Sequence, residues 1–213
     1  MTEIADEPAI WNLEGDSVVL IHGYGGHRWL MLPLAGRLRS AGLTVHNWGY
    51  HSLFLNVERH AAAFASRLAT LEADASVRRF HVVTHSMGAV VTRAALLSAD
   101  YAKLGRIVML CPPNRGSHMA SRFAPWFGWF SQTLSDITDL PDSFVNRLPD
   151  DLGNRYPLGI IAAKSDYIVD PHSTHLPHER DHVTISGMHS GVLFGQQAAR
   201  AAVRFMQQAT FSK

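Results

Sequence analysis

The sequence predicts an α/β protein built on a mostly parallel, doubly wound sheet, and three observations support this. Strand-like and helix-like segments alternate along the chain, the strand-like runs lack polar alternation, and several of them stop at glycine or proline clusters. Continuous apolar strands are typical of parallel sheets that helices cover on both faces. The chain has 213 residues, 46% hydrophobic and 17% charged, which is ordinary for one core. We therefore expect a single domain over residues 1–213.

The elements of the first half follow from their period and from the residues that end them. Short β-branched runs predict strands, and segments with apolar residues at helical spacing predict helices between them. The predicted strands cover 17–21, 43–48, 80–84 and 106–110. The predicted helices cover 29–38, 57–75 and 87–99, and Gly42 follows the first of them as a stop signal.

The segment 112–157 breaks this alternation. It holds six of the ten prolines and contains no long periodic stretch. We predict an irregular excursion from the sheet with the character of a short cap or lid. The alternation then resumes, with strands predicted over 158–163 and 182–185 and a closing helix over 193–208.

The charge balance argues against a polyanion-binding protein. The chain has 19 basic and 18 acidic residues, a formal net charge of +1, and no block of like charges, so nucleic acid is not an expected partner.

Residues 1–10 are acidic and lack the basic and apolar regions of a signal peptide. No apolar run reaches the roughly 18 residues of a membrane span. Cys111 is the single cysteine and cannot pair within the chain. We predict a cytoplasmic protein.

A serine stands where a predicted strand gives way to a predicted helix. The segment 84–88 reads THSMG, between FHVV and AVVTRAALL. A tight turn of this kind exposes its central side chain above the sheet, and the helix N-terminus directs backbone N–H groups towards it. Small residues two places before and after the serine let strand and helix pass closely. Gly88 is present, whereas Thr84 stands in place of the first glycine. We predict that Ser86 is a nucleophile.

With this turn, nearly the whole chain resembles the α/β-hydrolases of the lipase and esterase kind. In that family an early strand ends in His-Gly, which is His22-Gly23 in this sequence. The resemblance implies an oxyanion hole formed by the backbone N–H groups of Tyr24 and Met87. It also implies an α/β-hydrolase fold, here without the usual leading antiparallel strands. We therefore expect a near-minimal hydrolase core.

The resemblance further implies an acid and a histidine downstream of the serine. The segment 164–171, KSDYIVDP, is similar to the acid loop of the family and points to Asp166. Asp170, on the same loop, is an alternative acid or a proline-turn residue. His189 stands in a glycine-flanked loop after the last predicted strand, at the histidine position of the family. The expected triad is Ser86, Asp166 and His189.

The thirteen histidines are the unusual feature of the composition. We expect His85, next to the serine, to pack or hydrogen-bond within the turn rather than act as the base. Four others have spacings at which histidines can ligate zinc, although two prolines interrupt any helix that would align them. These are His172, His175, His178 and His182. We expect a polar loop there, and neither a metal nor a cofactor.

Two segments of the excursion bear on substrate binding. The segment 123–130, FAPWFGWF, has five aromatics in eight residues. It either packs as a core helix or, as part of a cap, binds acyl chains or touches a lipid surface. The turn at 114–117, NRGS, resembles a stretch found in lipase-like members of the fold, and we interpret it as a pocket wall.

Together these features predict a serine hydrolase that cleaves carboxylic esters through an acyl-enzyme intermediate. The expected partner is a small-molecule ester or a lipid, with no stable membrane insertion. Three alternatives stay open at this point. They are acyl transfer on the same triad, cleavage of an amide or thioester, and a catalytically silent binding protein on the same fold.

Overall fold

Six parallel strands form one sheet in the order β2-β1-β3-β4-β5-β6. The computed structural model describes residues 10–212, so the prediction about a leader in residues 1–9 lies outside the described residues. The strands are β1 (Ser17–Ile21), β2 (Thr44–Trp48), β3 (Phe80–His85), β4 (Leu104–Leu110), β5 (Leu158–Ala163) and β6 (Asp181–Ile185). The predicted α/β class with a parallel sheet is confirmed.

The helices cover both faces of the sheet, because neighbouring residues of each central strand point in opposite directions. Val19 and Ile21 pack with the helices α2 and α3, whereas Val18 and Leu20 pack with α1 and α8 on the other face. The helices are α1 (Leu32–Ser40), α2 (Val57–Ala73), α3 (Gly88–Ala95), α4 (His118–Phe127), α5 (Gln132–Asp136), α6 (Phe144–Arg147), α7 (Leu152–Arg155) and α8 (Gln196–Gln208). The sheet is therefore doubly wound, as predicted.

The strand register brings six loops to one edge of the sheet. Ile21 is paired with Thr84, and the next strands follow in step, with Thr84 opposite Met109 and Leu110 opposite Ile161. Because all six strands run in the same direction, the loops that follow their carboxyl ends gather above this edge. The candidate site lies there.

The structure corrects the sequence prediction at three places. The helix predicted over 87–99 ends at Ala95, and the closing helix begins at Gln196 because residues 191–193 form a separate 3₁₀ turn. The excursion over 112–157 was expected to lack regular structure, yet it contains α4 to α7. Three of these helices are only four or five residues long and show no periodicity. The fourth, α4, contains Pro125, a residue that ordinarily argues against a helix.

Within residues 10–212, no helix is both long and apolar enough to cross a membrane.

Candidate active site

Ser86 occupies the sharp turn between β3 and α3. Its φ is +52°, in the left-handed region that non-glycine residues rarely adopt, and its N–H donates to the carbonyl of Leu110 at 2.9 Å. Gly88 makes the close approach of α3 to β1 possible, because a Cβ there would lie 2.8 Å from the carbonyl oxygen of Ile21. Thr84, buried in β3, does not prevent the turn. The geometry therefore requires glycine at position 88 and not at position 84.

The loop after β1 passes directly over the serine. A Cβ on Gly23 would lie 2.7 Å from the Cβ of Ser86, so only glycine fits between them. Tyr24 follows in this loop, and Met87 follows the serine. Among residues 10–212, neither the N–H of Tyr24 nor that of Met87 donates a hydrogen bond to another protein group. Both N–H groups are therefore without a protein acceptor among the described residues, and Tyr24 lines the cavity above the serine.

Tyr50, which sequence reasoning missed, contacts the loop that follows β1. Its hydroxyl donates to the carbonyl of His22 at 2.9 Å, and its ring stacks on the His22 imidazole with 4.5 Å between centroids. The His22 Nδ1–H in turn donates to the carbonyl of Gly23 at 2.9 Å. The signal was available in part, because Tyr50 follows β2, whose carboxyl end neighbours that of β1.

Asp166 and His189 meet at the same edge. The Nδ1 of His189 lies 2.7 Å from Oδ2 of Asp166, and both side chains are buried. The other carboxylate oxygen accepts the N–H groups of Ile168 and Val169, each at 2.9 Å. Burial raises the pKa of Asp166, but the bond to His189 and the two backbone donors lower it further than burial raises it. The carboxylate is therefore ionised and fixed in orientation.

His85 holds the histidine loop from beneath. Its Nε2–H donates to the carbonyl of His189 at 3.1 Å, and the two rings are 4.9 Å apart. Complete burial, together with the nearby His189, lowers the pKa of His85 to about 3. The ring is therefore neutral. It hydrogen-bonds to the loop of His189, whereas the sequence had suggested a role confined to the serine turn.

Cys111 lies beside the acid rather than apart from the site. It directly follows β4 with a φ of +48°, and its Sγ is within 4.8 Å of a carboxylate oxygen of Asp166 and a ring nitrogen of His189. Burial and the neighbouring carboxylate raise the pKa of the thiol well above its ordinary value, so it stays protonated. Sequence reasoning considered Cys111 only as a cysteine that cannot pair within the chain. Cys111 follows β4, and β4 lies between the strands that precede Ser86 and Asp166. This position indicates that Cys111 is close to the site.

Asp170 serves the turn that follows the acid. Its Oδ1 accepts the N–H of His172 at 2.8 Å and caps the 3₁₀ turn Pro171–Thr174. This is the proline-turn role that the sequence left open for Asp170. Asp166, rather than Asp170, contacts His189.

Two of the four clustered histidines come together near the start of β6. The rings of His175 and His182 stack with 3.9 Å between centroids, and Nδ1 of His175 lies 2.6 Å from Oε1 of Glu179. The Nε2 of His182 also contacts Thr174 Oγ1 at 2.9 Å. Glu179 was missed at the sequence level. Both ring nitrogens take part in hydrogen bonds, and ligand atoms of His175, Glu179 and His182 lie within 4.8 Å of one another.

A cavity of about 490 Å³ opens above the serine. Ser86, His85 and His189 line its floor, and none of the described residues that line it is Asp, Glu, Lys or Arg. Its walls are mainly apolar and aromatic. The lining includes Tyr24, Leu30, Ser117, Met119, Phe123, Phe127, Phe130, Leu134, Ile137, Ile168 and Val169. The segment 123–130 therefore forms a cavity wall. It is not a core helix, since Ala120 is the one buried residue among those of α4.

The turn at 114–117 borders the same cavity. Ser117 lines it, caps α4 and donates to the carbonyl of Ile168 at 2.6 Å, while Nδ2 of Asn114 donates to the carbonyl of Thr174 at 2.6 Å. The turn thus fastens the excursion to the loop that carries Asp166.

A family model agrees with this architecture. The model of the alpha/beta hydrolase family matches residues 18–159, which is more than half of the chain. The chain belongs to the alpha/beta hydrolase family. A search of curated proteins found no match for this alpha/beta hydrolase.

Solved structures share the fold of this hydrolase at low sequence identity. The mature form of the Bacillus licheniformis lipase BlEst2 is 14% identical, with a TM-score of 0.74 over 95% of this chain and 93% of the lipase. Lipase B of Aspergillus fumigatus is 20% identical, with a TM-score of 0.74 over 93% of this chain and 54% of that one. Est1E from Butyrivibrio proteoclasticus is 16% identical, with a TM-score of 0.63 over 92% and 89%. At these identities the likeness shows the fold alone.

Proposed function

We propose that this alpha/beta hydrolase cleaves carboxylic esters through a covalent acyl-enzyme on Ser86. One observation carries the proposal. Ser86, held at a left-handed turn, lines the same cavity as His189, whose Nδ1 lies 2.7 Å from Asp166 Oδ2. A serine hydroxyl becomes a useful nucleophile when a histidine takes its proton and a carboxylate orients that histidine.

The hydrogen bond between His189 and Asp166 supports one direction of proton transfer. His189 donates its Nδ1–H to Asp166, which leaves the lone pair of Nε2 to accept the serine proton. The serine oxygen attacks the ester carbonyl carbon, and the carbonyl electron pair moves to oxygen, where the N–H groups of Tyr24 and Met87 stabilise it. Collapse expels the alcohol with the proton from His189. Water then attacks the acyl carbon, with His189 again as the base, and releases the carboxylic acid.

The cavity favours an uncharged acyl group. Its described lining has no ionic side chain, and Phe123, Phe127 and Phe130 form an aromatic wall. The proposed substrate is therefore a small-molecule ester or a lipid, with the segment 123–130 as a cap within a single domain. The cytoplasmic location stays a prediction.

Labelling with a fluorophosphonate tests the nucleophile. We expect one label on the wild-type protein and none on Ser86→Ala. Ser190→Ala is a matched control because Ser190 lines the same cavity, and this variant should still be labelled. A wild-type protein that resists labelling, or a label that persists in Ser86→Ala, would overturn the proposed function.

A panel of esters graded by acyl length tests the substrate class. An apolar cavity of about 490 Å³ should give a kcat/KM that rises from acetyl towards medium acyl chains, because each buried methylene contributes about 0.8 kcal/mol. Equal rates across the panel would contradict the assigned role of the aromatic wall.

A further inference from the structure

The loop between β5 and β6 brings two histidines and a glutamate together. His175 and Glu179 lie on this loop, and His182 lies in β6. A ring nitrogen of each histidine and a carboxylate oxygen of Glu179 all lie within 4.8 Å of one another. The sequence predicts a polar loop here, because prolines interrupt any helix that would align the histidines. The structure aligns His175 and His182 without a helix, since their rings stack with 3.9 Å between centroids.

The backbone that carries these side chains is anchored on either side. Leu176 is buried in the same part of the core as Ile160. The N–H of Arg180 donates to the carbonyl of Leu158 at 2.7 Å, and His182 is paired with Ile160 in the sheet. A ligand of the three side chains would therefore bind to a loop that is already ordered, which lowers the entropic cost of binding.

The carboxylate of Glu179 is oriented towards the cluster. Its Oε2 accepts the N–H of Leu176 at 2.9 Å, and its Oε1 lies 2.6 Å from Nδ1 of His175. The segment 179–182 has two acidic residues and one basic residue, so its formal charge is −1 when His182 is neutral. Burial and the neighbouring His175 lower the pKa of His182, which favours the neutral ring that a metal ion needs.

A threonine fixes the tautomer of His182. The hydroxyl of Thr174 donates to the carbonyl of Pro171, so its oxygen accepts from the Nε2–H of His182 at 2.9 Å. The lone pair of this ring is therefore on Nδ1. Histidines that bind metal ions commonly donate their other N–H to a protein oxygen, which orients the ring.

Two imidazoles and one carboxylate select the class of ion. Imidazole suits zinc and the neighbouring transition metals, whereas Mg²⁺ and Ca²⁺ prefer oxygen ligands. The ligand atoms of a tetrahedral zinc ion lie about 3.3 Å apart. His175 Nδ1 and Glu179 Oε1 would have to separate by about 0.7 Å, and the other pairs would have to approach by at most about 1.5 Å. The ring of His175 is 51% exposed and has room to rotate.

We propose that His175, Glu179 and His182 bind one divalent transition-metal ion of the zinc class, with water as the fourth ligand. The ion joins the loop that begins after β5 to β6, the last strand in the order of the sheet. None of the three residues lines the cavity of Ser86, so the role is structural and does not rest on the proposed ester hydrolysis. The competing occupant is a proton shared by His175 and Glu179.

Zinc titration of the protein, prepared without a histidine tag and treated with a chelator, tests the site. Isothermal titration calorimetry should show one Zn²⁺ per chain, and Mg²⁺ at the same concentration should not bind. His175→Ala and Glu179→Gln should each weaken zinc binding by about a hundredfold or more, because each removes one of three protein ligands. Thr174→Val should weaken it by about tenfold, because His182 loses the hydrogen bond that orients it.

His178→Asn is the matched control. His178 is an exposed histidine on the same loop but is not one of the three ligands, and asparagine tolerates its φ of +61°. Its zinc affinity should stay within about twofold of wild type. Zinc at a hundred times its Kd should raise the Tm of both proteins by about 5 °C and leave that of His175→Ala unchanged. Circular dichroism of the metal-free proteins checks that each variant is folded.

Three results would overturn the proposal. They are no zinc binding by the wild-type protein, wild-type affinity in His175→Ala and Glu179→Gln, and an equal loss in His178→Asn. The second result would place the ion elsewhere, for example at Cys111, Asp166 and His189, whose ligand atoms also lie within 4.8 Å of one another.

The outcome is separate from that of the proposed function. Zinc binding can be measured in the Ser86→Ala protein, which has no nucleophile, and fluorophosphonate labelling of the metal-free protein reports on Ser86. Zinc binding can therefore persist where labelling fails, and labelling can persist where zinc binding fails.

Discussion

The polar groups at the two edges of the sheet have different surroundings. At the amino-terminal edge, Asp16 is fully buried and accepts Nε and Nη2 of Arg78 at 3.1 and 2.7 Å. Arg79 and Arg106 lie over the Trp11 ring at 3.7 and 3.9 Å. At the carboxyl edge, Ser86 in its left-handed turn lines an open cavity together with Tyr24 and His189. The charged groups of the first edge pair with one another inside the protein, whereas the second edge has polar side chains that line a cavity.

The largest expected effect is at the carboxyl edge. Asp166→Asn should lower kcat/KM on an activated ester by about 10³ to 10⁴-fold, because the amide cannot stabilise the charged His189. The fold should remain, since an asparagine oxygen can still accept the N–H groups of Ile168 and Val169. Asp170→Asn is the control and should lose less than about tenfold. Similar small losses in both variants would remove Asp166 from the proposed triad.

Substitutions at the amino-terminal edge should change the free energy of unfolding and not kcat/KM. Asp16→Ala should lower the free energy of unfolding by about 2 kcal/mol, because it removes the buried carboxylate that Arg78, Arg79 and His81 contact. The kcat/KM of the folded protein should not change. Urea denaturation measures the first quantity. Asp100→Ala breaks an ion pair with Arg155 in which the aspartate is 78% exposed, and it should change the unfolding midpoint little. Equal effects in the two variants would contradict the contrast between the edges.

His85 gives the carboxyl edge a dependence on pH. Burial lowers its pKa from 6.5 to about 3, so the folded protein binds fewer protons than the unfolded chain across this interval. The contribution of this group is complete above pH 6.5 and is lost as the pH falls, by about 2 kcal/mol at pH 5. His85→Gln, which keeps a donor for the His189 carbonyl, should lose less stability between pH 7.5 and 5. An identical loss in variant and wild type would show that His85 is not responsible.

Tyr50 should produce the smallest of these effects. Tyr50→Phe removes the hydrogen bond to the His22 carbonyl and should lower kcat about fivefold, the equivalent of roughly 1 kcal/mol. KM should hardly change, because Tyr50 does not line the cavity. Tyr101→Phe loses a similar bond, to the carbonyl of Ala65 at 3.1 Å, away from the site. A kcat loss of the same size in Tyr101→Phe would mean that Tyr50 acts through general stability.

Much of the sheet could be predicted from the sequence, because buried parallel strands are marked by uninterrupted β-branched runs. The strands Ser17–Ile21 and Leu158–Ala163 match their predictions at both ends. The α4 helix could not be found in the same way. Its aromatic residues face solvent and a cavity rather than the core, so the usual relation between apolar spacing and burial does not apply.

The candidate site could be predicted only where a local motif marks it. Ser86 is marked by the change from strand to helix, and the loops of Asp166 and His189 are marked by their order along the chain. Cys111 and Tyr50 reach the site through the register of neighbouring strands, which no single segment reveals. Their roles, like those of the triad, stay predictions.

The excursion between β4 and β5 is attached to the sheet at two neighbouring strands. It leaves one strand and returns to its neighbour, where Ile107 pairs with Leu158 and Leu110 with Ile161. Its two ends are therefore anchored whatever the length between them, and doubling a flexible loop costs only about 0.6 kcal/mol. Chimeras could keep the six strands and the core residues of the excursion, such as Leu134, Val145 and Leu152, and exchange the aromatic segment 123–130 for a donor segment of another size. The range of substrates should then depend on the donor segment, whereas the catalysed reaction should remain that of the recipient protein.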